Sequence, residues 1–387
     1  MGAVGTPQQP FDLVITGGRH FDAASATWRA ADIGIVDGVV TALQERLDPA
    51  AASLSADVGG AMVLPGLVDL HVHAYPGATF WGIEIDEVSL GSGVTTIVDA
   101  GSAGPYNFAG LAKRLRTSRV RGLAYLNIAP GGLATPHGEL MAAGAANVEQ
   151  AVLVARSHPD LIVGFKLRAS PNTVGQNAAE TLAAVRRAAD ETGLKVMVHV
   201  SDAPPSLSMV LDHLRDGDVL THCFTPYDNC VIGNDGRPRP EVVKALARGV
   251  LLDLGHGSGS FSFPAAEAWV RSGEKLPVIS TDIHKRSVLG PVFNMNTVMT
   301  KMLAAGAAIT DVLRAVTSAP SSALGLESSV AVGSAADIAV LDLEERPLTV
   351  WDSRGVEREA QQRVRCLLTV RGSEVDYVDP GVRLVGA

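Results

Sequence analysis

The chain has 387 residues, of which 47% are hydrophobic and 19% are charged. This composition fills a buried core and excludes a disordered or fibrous chain, and the length predicts one large domain with one small domain. The formal net charge of -9 and the absence of a basic stripe with interleaved aromatic residues disfavour polyanions, so we expect no nucleic-acid partner.

The first residues and the cysteines bear on the cellular compartment. Residues 1–10 lack the basic start and apolar run of a secretory signal, and we expect a frayed end there. No apolar stretch reaches the ~20 residues of a membrane span, so we expect no membrane association. The chain has three cysteines, Cys223, Cys230 and Cys366, whose spacing fits neither a disulfide framework nor a four-cysteine zinc site. A cytoplasmic location suits them.

Both ends of the chain are predicted to form short β-strands. From Phe11, the segments FDLVITGG, ADIGIVDGVVTAL and AMVLPG are rich in valine and isoleucine, with Asp37 and Gly38 as a hairpin signal. The same pattern returns in GSAADIAVLDL and RVRCLLTVRGSEVDYV near the other end. We therefore predict one small β-sandwich domain that is assembled from residues 11–64 and 329–380.

Residues 65–328 have a different sequence pattern, in which apolar runs alternate with longer, alanine-rich amphipathic segments. This alternation is typical of βα units around a parallel sheet, whose strands are buried on both faces. The apolar runs are LVDLHVH, VTTIVDAG, RGLAYLNI, LIVGFKLRAS, KVMVHVSD, DVLTHCF, GVLLDLGHG and LPVISTDIH. Eight such units over about 250 residues predict an α/β fold, the (β/α)8 TIM barrel.

Residues of metal-ligand type fall at the carboxyl ends of these runs, where barrel enzymes hold their catalytic groups. His71 and His73 end the first run, and because side chains alternate along a strand, both imidazoles point the same way. The later runs contribute one residue each: Lys166, His199, His222 and Asp282. A single histidine at such a place is more often a hydrogen-bonded core residue, so the prediction of a metal site depends on the whole set. Asp69 and Asp99, near strand ends, are expected to be supporting groups rather than ligands.

Lys166 is unusual because an apolar strand disfavours an ammonium group, and a protonated lysine cannot ligate a cation. Two interpretations stay open. Either Lys166 has a buried carboxylate partner, or its neutral amine reacts with carbon dioxide. The second route gives N6-carboxylysine, a carbamate whose two oxygens can each bind a metal ion.

Together these residues resemble the amidohydrolase superfamily: DLHVH after an apolar PGL turn, a lysine on the fourth strand, single histidines on the fifth and sixth, and an aspartate on the eighth. The segments GVTTIVDAGSAG, GFKLRAS, LDLGHGSGSFSF and FNMNTVMTKML resemble its deacetylase-like branch, formerly grouped with dihydroorotases. The resemblance implies two divalent ions bridged by Lys166. By the same resemblance, His71, His73 and Asp282 would hold the more buried ion, and His199 and His222 would hold the more exposed ion.

The resemblance also implies a metal-dependent hydrolase that removes an acyl group, acetyl foremost, from a small N-acyl or O-acyl carboxylic acid. A hydroxide between the ions would be the nucleophile, the ion on the His222 side would polarise the carbonyl, and Asp282 would carry the proton to the leaving group. Zinc is the default metal, and manganese, cobalt and iron suit the same ligands. The summed charge of such a site is positive, so we expect an anionic small-molecule substrate.

Two further residues are candidates for substrate binding. Arg168 follows Lys166 by two positions and faces the same side of the strand. It either clamps a substrate carboxylate or forms a salt bridge with a loop acid. His256 lies in the glycine-rich segment GHGSGSFSF, where it either touches substrate or structures the loop.

Two other functions stay open. A cyclic amide hydrolase of dihydroorotase or hydantoinase type would use the same metals, and only the pocket distinguishes it from a deacetylase. A non-catalytic scaffold with this fold would show gaps in the ligand set, and the sequence shows none. We also expect a homo-oligomer, since barrel hydrolases commonly assemble through their helical or sandwich faces.

Overall fold

A computed structural model describes residues 11–22 and 27–386, so the frayed end predicted for residues 1–10 lies outside the described part of the chain. Asp37 and Gly38 form the predicted hairpin turn, with positive φ angles of 49° and 74°. The opening strands are β1 (Phe11–Thr16), β2 (Arg19–Asp22), β3 (Thr27–Ala30), β4 (Asp32–Val36), β5 (Val39–Gln44), β6 (Ala52–Asp57) and β7 (Met62–Pro65).

The middle of the chain alternates strands with helices. The strands are β8 (Leu67–Val72), β9 (Val94–Ala100), β10 (Arg121–Asn127), β11 (Ile162–Ala169), β12 (Lys195–Val200), β13 (Val219–Thr221) and β14 (Leu251–Asp253). The helices are α1 (Asp86–Leu90), α2 (Phe108–Thr117), α3 (Val148–Ser157), α4 (Pro171–Val174), α5 (Ala178–Thr192), α6 (Leu207–His213), α7 (Pro240–Ala247), α8 (Phe263–Ser272), α9 (Met295–Ala304), α10 (Ile309–Val316) and α11 (Ser318–Leu324).

Strands β8 to β14 form one parallel sheet in chain order, which confirms the predicted TIM-barrel class. The eighth apolar run is not a regular strand, and the prediction of a full eighth strand is wrong. It closes the barrel through isolated parallel bridges, Val278 with Asp253 and Ile283 with Val72. Asp282, inside this run, has a φ of 45°, and a left-handed residue interrupts the extended backbone that a strand requires.

The chain ends with β15 (Asp337–Glu344), β16 (Leu348–Trp351), β17 (Glu357–Ala360), β18 (Arg363–Arg371), β19 (Glu374–Val378) and β20 (Leu384–Gly386). Two sheets combine strands from both ends of the chain, in the orders β20-β6-β1-β4-β5 and β19-β18-β15-β7-β2-β3. Their apolar side chains share one core that includes Leu13, Ile33, Val340 and Leu368. These two sheets are the small sandwich that accompanies the barrel.

Two segments differ from the predicted range of the sandwich. Strand β20 lies beyond residue 380 and joins the first sheet beside β6. Strands β16 and β17 pair only with each other in the described sheets, and their hairpin contacts the barrel instead of the sandwich core. Within residues 11–22 and 27–386, no helix combines the length and the apolar character needed to cross a bilayer.

Candidate active site at the barrel mouth

A cavity of about 350 Å³ opens at the carboxyl ends of the barrel strands. Below it the barrel interior is filled by apolar side chains, among them Leu70, Val98, Met197 and Val219, so the cavity has a closed floor. The fold brings every predicted ligand-type residue to the wall of this cavity: His71, His73, Lys166, His199, His222 and Asp282. Residues from five distant parts of the sequence therefore meet at one place.

The Asp282 carboxylate lies beside two of the four histidines. Its Oδ1 atom is 3.1 Å from His73 Nε2 and 3.4 Å from His71 Nε2. Ligand atoms of His71, His222 and Asp282 lie within 4.8 Å of one another. The His199 ring centroid is 4.4 Å from that of His222. Imidazole and carboxylate groups at this spacing fit a divalent transition-metal ion.

Hydrogen bonds orient the histidine rings. His222 Nδ1 is 2.6 Å from the carbonyl oxygen of Gly255, and a carbonyl only accepts, so Nδ1 carries the hydrogen and Nε2 keeps its lone pair. His71 Nδ1 is 2.9 Å from Thr221 Oγ1 and 3.3 Å from Asp253 Oδ2. A carboxylate behind the ring favours the same tautomer for His71, with Nε2 facing the cluster.

Asp69 and Asp99, which were expected to support the site, accept hydrogen bonds from the backbone around it. Asp99 accepts hydrogen bonds from the amides of Ser102, at 2.7 Å, and Ala74, at 2.8 Å. Ser102 Oγ in turn lies 2.9 Å from His73 Nδ1. Asp69 accepts from Thr281, from its amide at 3.0 Å and its hydroxyl at 2.6 Å. Both carboxylates are buried beside the strand ends that carry the histidines and Asp282.

Burial keeps the imidazoles uncharged. It lowers the pKa of His73 and of His222 to about 4, and it holds the pKa values of His71 and His199 well below their usual range. A neutral imidazole has the lone pair that a metal ligand requires. The rings therefore stay in the ligating form at neutral pH.

Lys166 is buried, with 2% of its surface exposed, and lacks a carboxylate partner among the described residues. Its Nζ atom lies 3.4 Å from His71 Nε2 and 3.2 Å from the Met197 sulfur. Burial lowers the pKa of the Lys166 amine well below its usual value, although the Asp282 carboxylate opposes this shift. Among the described residues no carboxylate lies within bonding distance of Lys166 Nζ, as the salt-bridge interpretation would require, whereas a neutral amine fits the surroundings.

Two ligand-type residues have strained backbones. His222 and Asp282 have φ angles of 68° and 45°, in the left-handed region that residues with a Cβ rarely adopt. His222 directly follows β13, and Asp282 lies within the run that closes the barrel. Such strain persists only where the surrounding structure holds it, and it concentrates at functional sites.

The glycine-rich loop 255–262 approaches the Asp282 carboxylate closely. A Cβ placed on Gly257 would lie 2.2 Å from Asp282 Oδ2, and the φ of Gly257 is +52°. Gly257→Ala should therefore displace Asp282 and lower kcat by about 10- to 100-fold. The measurement is steady-state kinetics on folded protein with its metal content determined.

Gly259→Ala is the matched control for that variant. The nearest atom to a Cβ on Gly259 is the Tyr227 hydroxyl, at 3.8 Å, so an alanine fits there without displacing the carboxylate. We expect near-wild-type kcat from Gly259→Ala. Equal rates from both variants would show that Asp282 does not depend on the space at Gly257.

Arg168 lies on the cavity wall and also forms a salt bridge with a loop acid. Its Nη1 atom donates to Glu139 Oε1 at 3.1 Å and to the Pro136 carbonyl at 3.3 Å. Burial raises the pKa of Glu139, and the Arg168 charge opposes that shift. The loop-acid contact considered from the sequence is thus present, and the substrate role of Arg168 stays a prediction.

The structure does not bring His256 to the cavity wall. Its ring is fully buried and stacks on Phe261, with centroids 4.6 Å apart. Its Nδ1 lies 2.8 Å from the Gly257 carbonyl oxygen, and its Nε2 lies 2.8 Å from Lys301 Nζ. These contacts correspond to the second interpretation, in which His256 structures the loop.

Several cavity residues were missed by the sequence argument. Trp81, Tyr227 and His284 line the cavity, and the Trp81 and His284 rings lie 4.8 Å apart. Each lies in a segment that follows a barrel strand or closes the barrel, which is where mouth residues are expected. That rule identifies the segments, but it does not select the residue within each one.

Known proteins resemble this chain in sequence and in fold. The model of the amidohydrolase family matches residues 62–363. A deacetylase of Agrobacterium fabrum is 36% identical over 324 residues, which cover 82% of this chain and 80% of the relative. A deacetylase of Enterococcus faecalis is 30% identical over 375 residues, covering 94% and 99%. A solved dihydroorotase structure is 32% identical, with a TM-score of 0.88 and coverage of 95% and 98%.

Proposed function

This chain belongs to the amidohydrolase family and is a hydrolase, and on that basis we propose that it removes an acyl group, acetyl foremost, from a small N-acyl or O-acyl carboxylic acid. The observation that carries the proposal is the convergence of four neutral imidazoles, Lys166 and Asp282 on one cavity. The similarity to two deacetylases over most of the chain supports the acyl specificity.

The donor set fits a pair of divalent ions. In the proposal, the more buried ion would be held by His71, His73 and Asp282, and the more exposed ion by His199 and His222. Zinc is the expected metal, and manganese, cobalt or iron would suit the same ligands. When bound, such ions supply an activated water nucleophile and polarise the carbonyl of the substrate.

Lys166 would connect the two ion sites as N6-carboxylysine. The neutral amine would add to carbon dioxide: one N–C bond forms, one C=O π bond of carbon dioxide becomes a C–O⁻ group, and one proton leaves the nitrogen for solvent. The product is an anionic carbamate in place of a buried cation, and its two oxygens offer one ligand to each side. The lack of a carboxylate partner for Lys166 among the described residues supports this assignment.

Asp282 would move the proton in the reaction. Its Oδ1 atom faces His71 and His73, so Oδ2 is the atom left to accept a proton from the attacking water. The same oxygen would then deliver that proton to the leaving nitrogen or oxygen of the substrate. Because Gly257 has no side chain, the space beside this oxygen stays open.

Arg168→Met tests the preference for a carboxylate-bearing substrate. We expect KM to rise far more for an acyl carboxylic acid than for its neutral methyl ester, because loss of a buried charged contact costs about 2–4 kcal/mol. Steady-state kinetics on the substrate pair measure the difference. Equal effects on both substrates would make Arg168 a structural residue.

Glu139→Gln is the matched control for Arg168, since it removes the other half of the ion pair and keeps its size. If Arg168 binds the substrate anion, the Glu139 charge competes with that anion. Glu139→Gln should therefore leave the KM of the carboxylate substrate unchanged or lower it. A rise that matches Arg168→Met would mean that the ion pair acts only by supporting the loop.

A hydrolysis screen decides between the proposed activity and its rival. The second candidate, cyclic amide hydrolysis, is favoured by the similarity to a solved dihydroorotase structure. Metal-replete protein is assayed with N-acetyl and O-acetyl carboxylic acids beside hydantoins and dihydroorotate. Turnover of the acetyl compounds supports the proposal, turnover of the ring amides alone supports the rival, and no turnover of any compound contradicts both.

A further inference from the structure

The turn of the β16–β17 hairpin, residues 352–356, reaches the mouth of the barrel. Ser353 exchanges two hydrogen bonds with Phe261: its amide donates to the Phe261 carbonyl, and its Oγ accepts from the Phe261 amide, both at 3.1 Å. Asp352 Oδ2 accepts from the Phe263 amide at 3.1 Å. The turn is thereby joined to the loop that forms one side of the cavity.

A second set of contacts holds the hairpin in place. Arg358 makes a bidentate ion pair with Glu267 on α8: Nε donates to Oε1 at 2.5 Å, and Nη2 donates to Oε2 at 3.2 Å. The Arg358 guanidinium also lies over the Phe263 ring, 5.4 Å from its centroid. Paired hydrogen bonds of this kind define both distance and angle. The position of the turn relative to the barrel is therefore well defined.

From this anchored turn, Arg354 covers a residue of the cavity wall. Its guanidinium carbon lies 4.6 Å from the ring centroid of Tyr227, within the range of a cation–π contact. Arg354 itself is exposed, whereas Tyr227 lines the cavity. The cation–π contact thus links the ring of a cavity residue to an exposed side chain on the anchored turn.

We propose that Arg354 is a positioning residue that holds the Tyr227 ring against the cavity and so limits the size of the substrate group accepted beside it. This inference rests on the proposed acyl hydrolysis, because it assigns the selectivity of that same cavity. With the guanidinium in place, the Tyr227 wall excludes bulky groups. Without it, the ring can turn outward, and the cavity accepts groups that the native wall rejects.

The kinetic test compares acyl carboxylic acids with small and bulky side groups. Arg354→Ala should lower the kcat/KM preference for the small group by about fivefold, mainly through KM, with kcat nearly unchanged. Arg354→Lys keeps the charge but lacks the flat face that stacks on a ring, so it should show part of the effect. Arg346→Ala is the matched control, since exposed Arg346 precedes the same hairpin and does not line the cavity.

A double-mutant cycle separates positioning from simple charge attraction. If Arg354 acts through Tyr227, then Arg354→Ala should change nothing further in a Tyr227→Ala background. If Arg354 attracts the anionic substrate directly, its loss should lower kcat/KM equally in both backgrounds. That second result would overturn the proposal.

A spectroscopic readout tests the inference without any substrate. The chain has five tyrosines, and in protein labelled with 3-fluorotyrosine the 19F resonance missing from Tyr227→Phe identifies Tyr227. Arg354→Ala should shift or broaden that resonance, and Arg346→Ala should not. An unchanged Tyr227 resonance in Arg354→Ala would refute the positioning role. An inactive wild type in the hydrolysis screen would instead contradict the proposed function and leave this measurement valid.

Discussion

Lys166→Ala is expected to lower kcat by several orders of magnitude and to reduce the metal content of the purified protein. The reason is that a carbamate at Lys166 would contribute a ligand to both ions, and activation of water depends on both. Lys166 is buried on the cavity wall beside the histidine cluster. Elemental analysis and single-substrate kinetics on the same preparation measure the two effects together.

Short carboxylic acids provide the specific signature of that role. Formate or acetate at high concentration should enter the space vacated in Lys166→Ala and restore part of the turnover, while wild type gains nothing. Lys301→Ala is the matched control, because Lys301 is also buried and burial lowers its pKa to about 7, yet it contacts His256 and the Pro291 carbonyl instead of the cavity. It should show no rescue. Normal metal content and near-wild-type rates in Lys166→Ala would contradict the proposal that Lys166 bridges the two ions.

Asp282→Asn is expected to lower kcat by about 10²- to 10⁴-fold, the range for loss of a general acid or base. An amide of the same shape cannot accept the proton of the attacking water. The loss should be larger for an N-acetyl than for an O-acetyl substrate, since an amine needs a proton before it leaves. Kinetics with a matched amide and ester measure that difference.

Asp202→Asn is the control for Asp282, because Asp202 is an exposed carboxylate on the wall of the same cavity. Its loss removes the same charge without touching the histidine cluster, so kcat should stay within a few-fold of wild type. Comparable losses in both variants would indicate a general charge effect. An unchanged kcat in Asp282→Asn would exclude Asp282 as the proton carrier.

Much of the fold follows from local patterns in the chain. Apolar runs that alternate with amphipathic segments predicted a parallel barrel, because strands buried on both faces require apolar residues at every position. The eighth run carries the same pattern but is not a regular strand. Hydrophobicity reports burial and not backbone angles. It therefore could not predict the φ of 45° at Asp282 or the closure through bridges at Val278 and Ile283.

The ligand-type residues were recognisable for a related reason. His71 and His73 share a strand face through simple alternation, and the rule that barrel sites form at strand ends selected His199 and His222. Supporting contacts were not predictable in this way. The partner of Arg168 is Glu139, on a loop whose course no local pattern describes.

The sequence alone determined which apolar runs are buried, where strands and helices alternate, and which side chains carry metal-binding chemistry, because each of these depends on residue type and short-range periodicity. Only the tertiary structure decided which supporting groups meet around that ligand set. It placed His256 under the loop instead of on the cavity wall, and it carried Arg354 from the C-terminal hairpin to Tyr227 at the barrel mouth. Such pairings arise from the packing of whole elements, and packing depends on complementary surfaces that no single segment encodes.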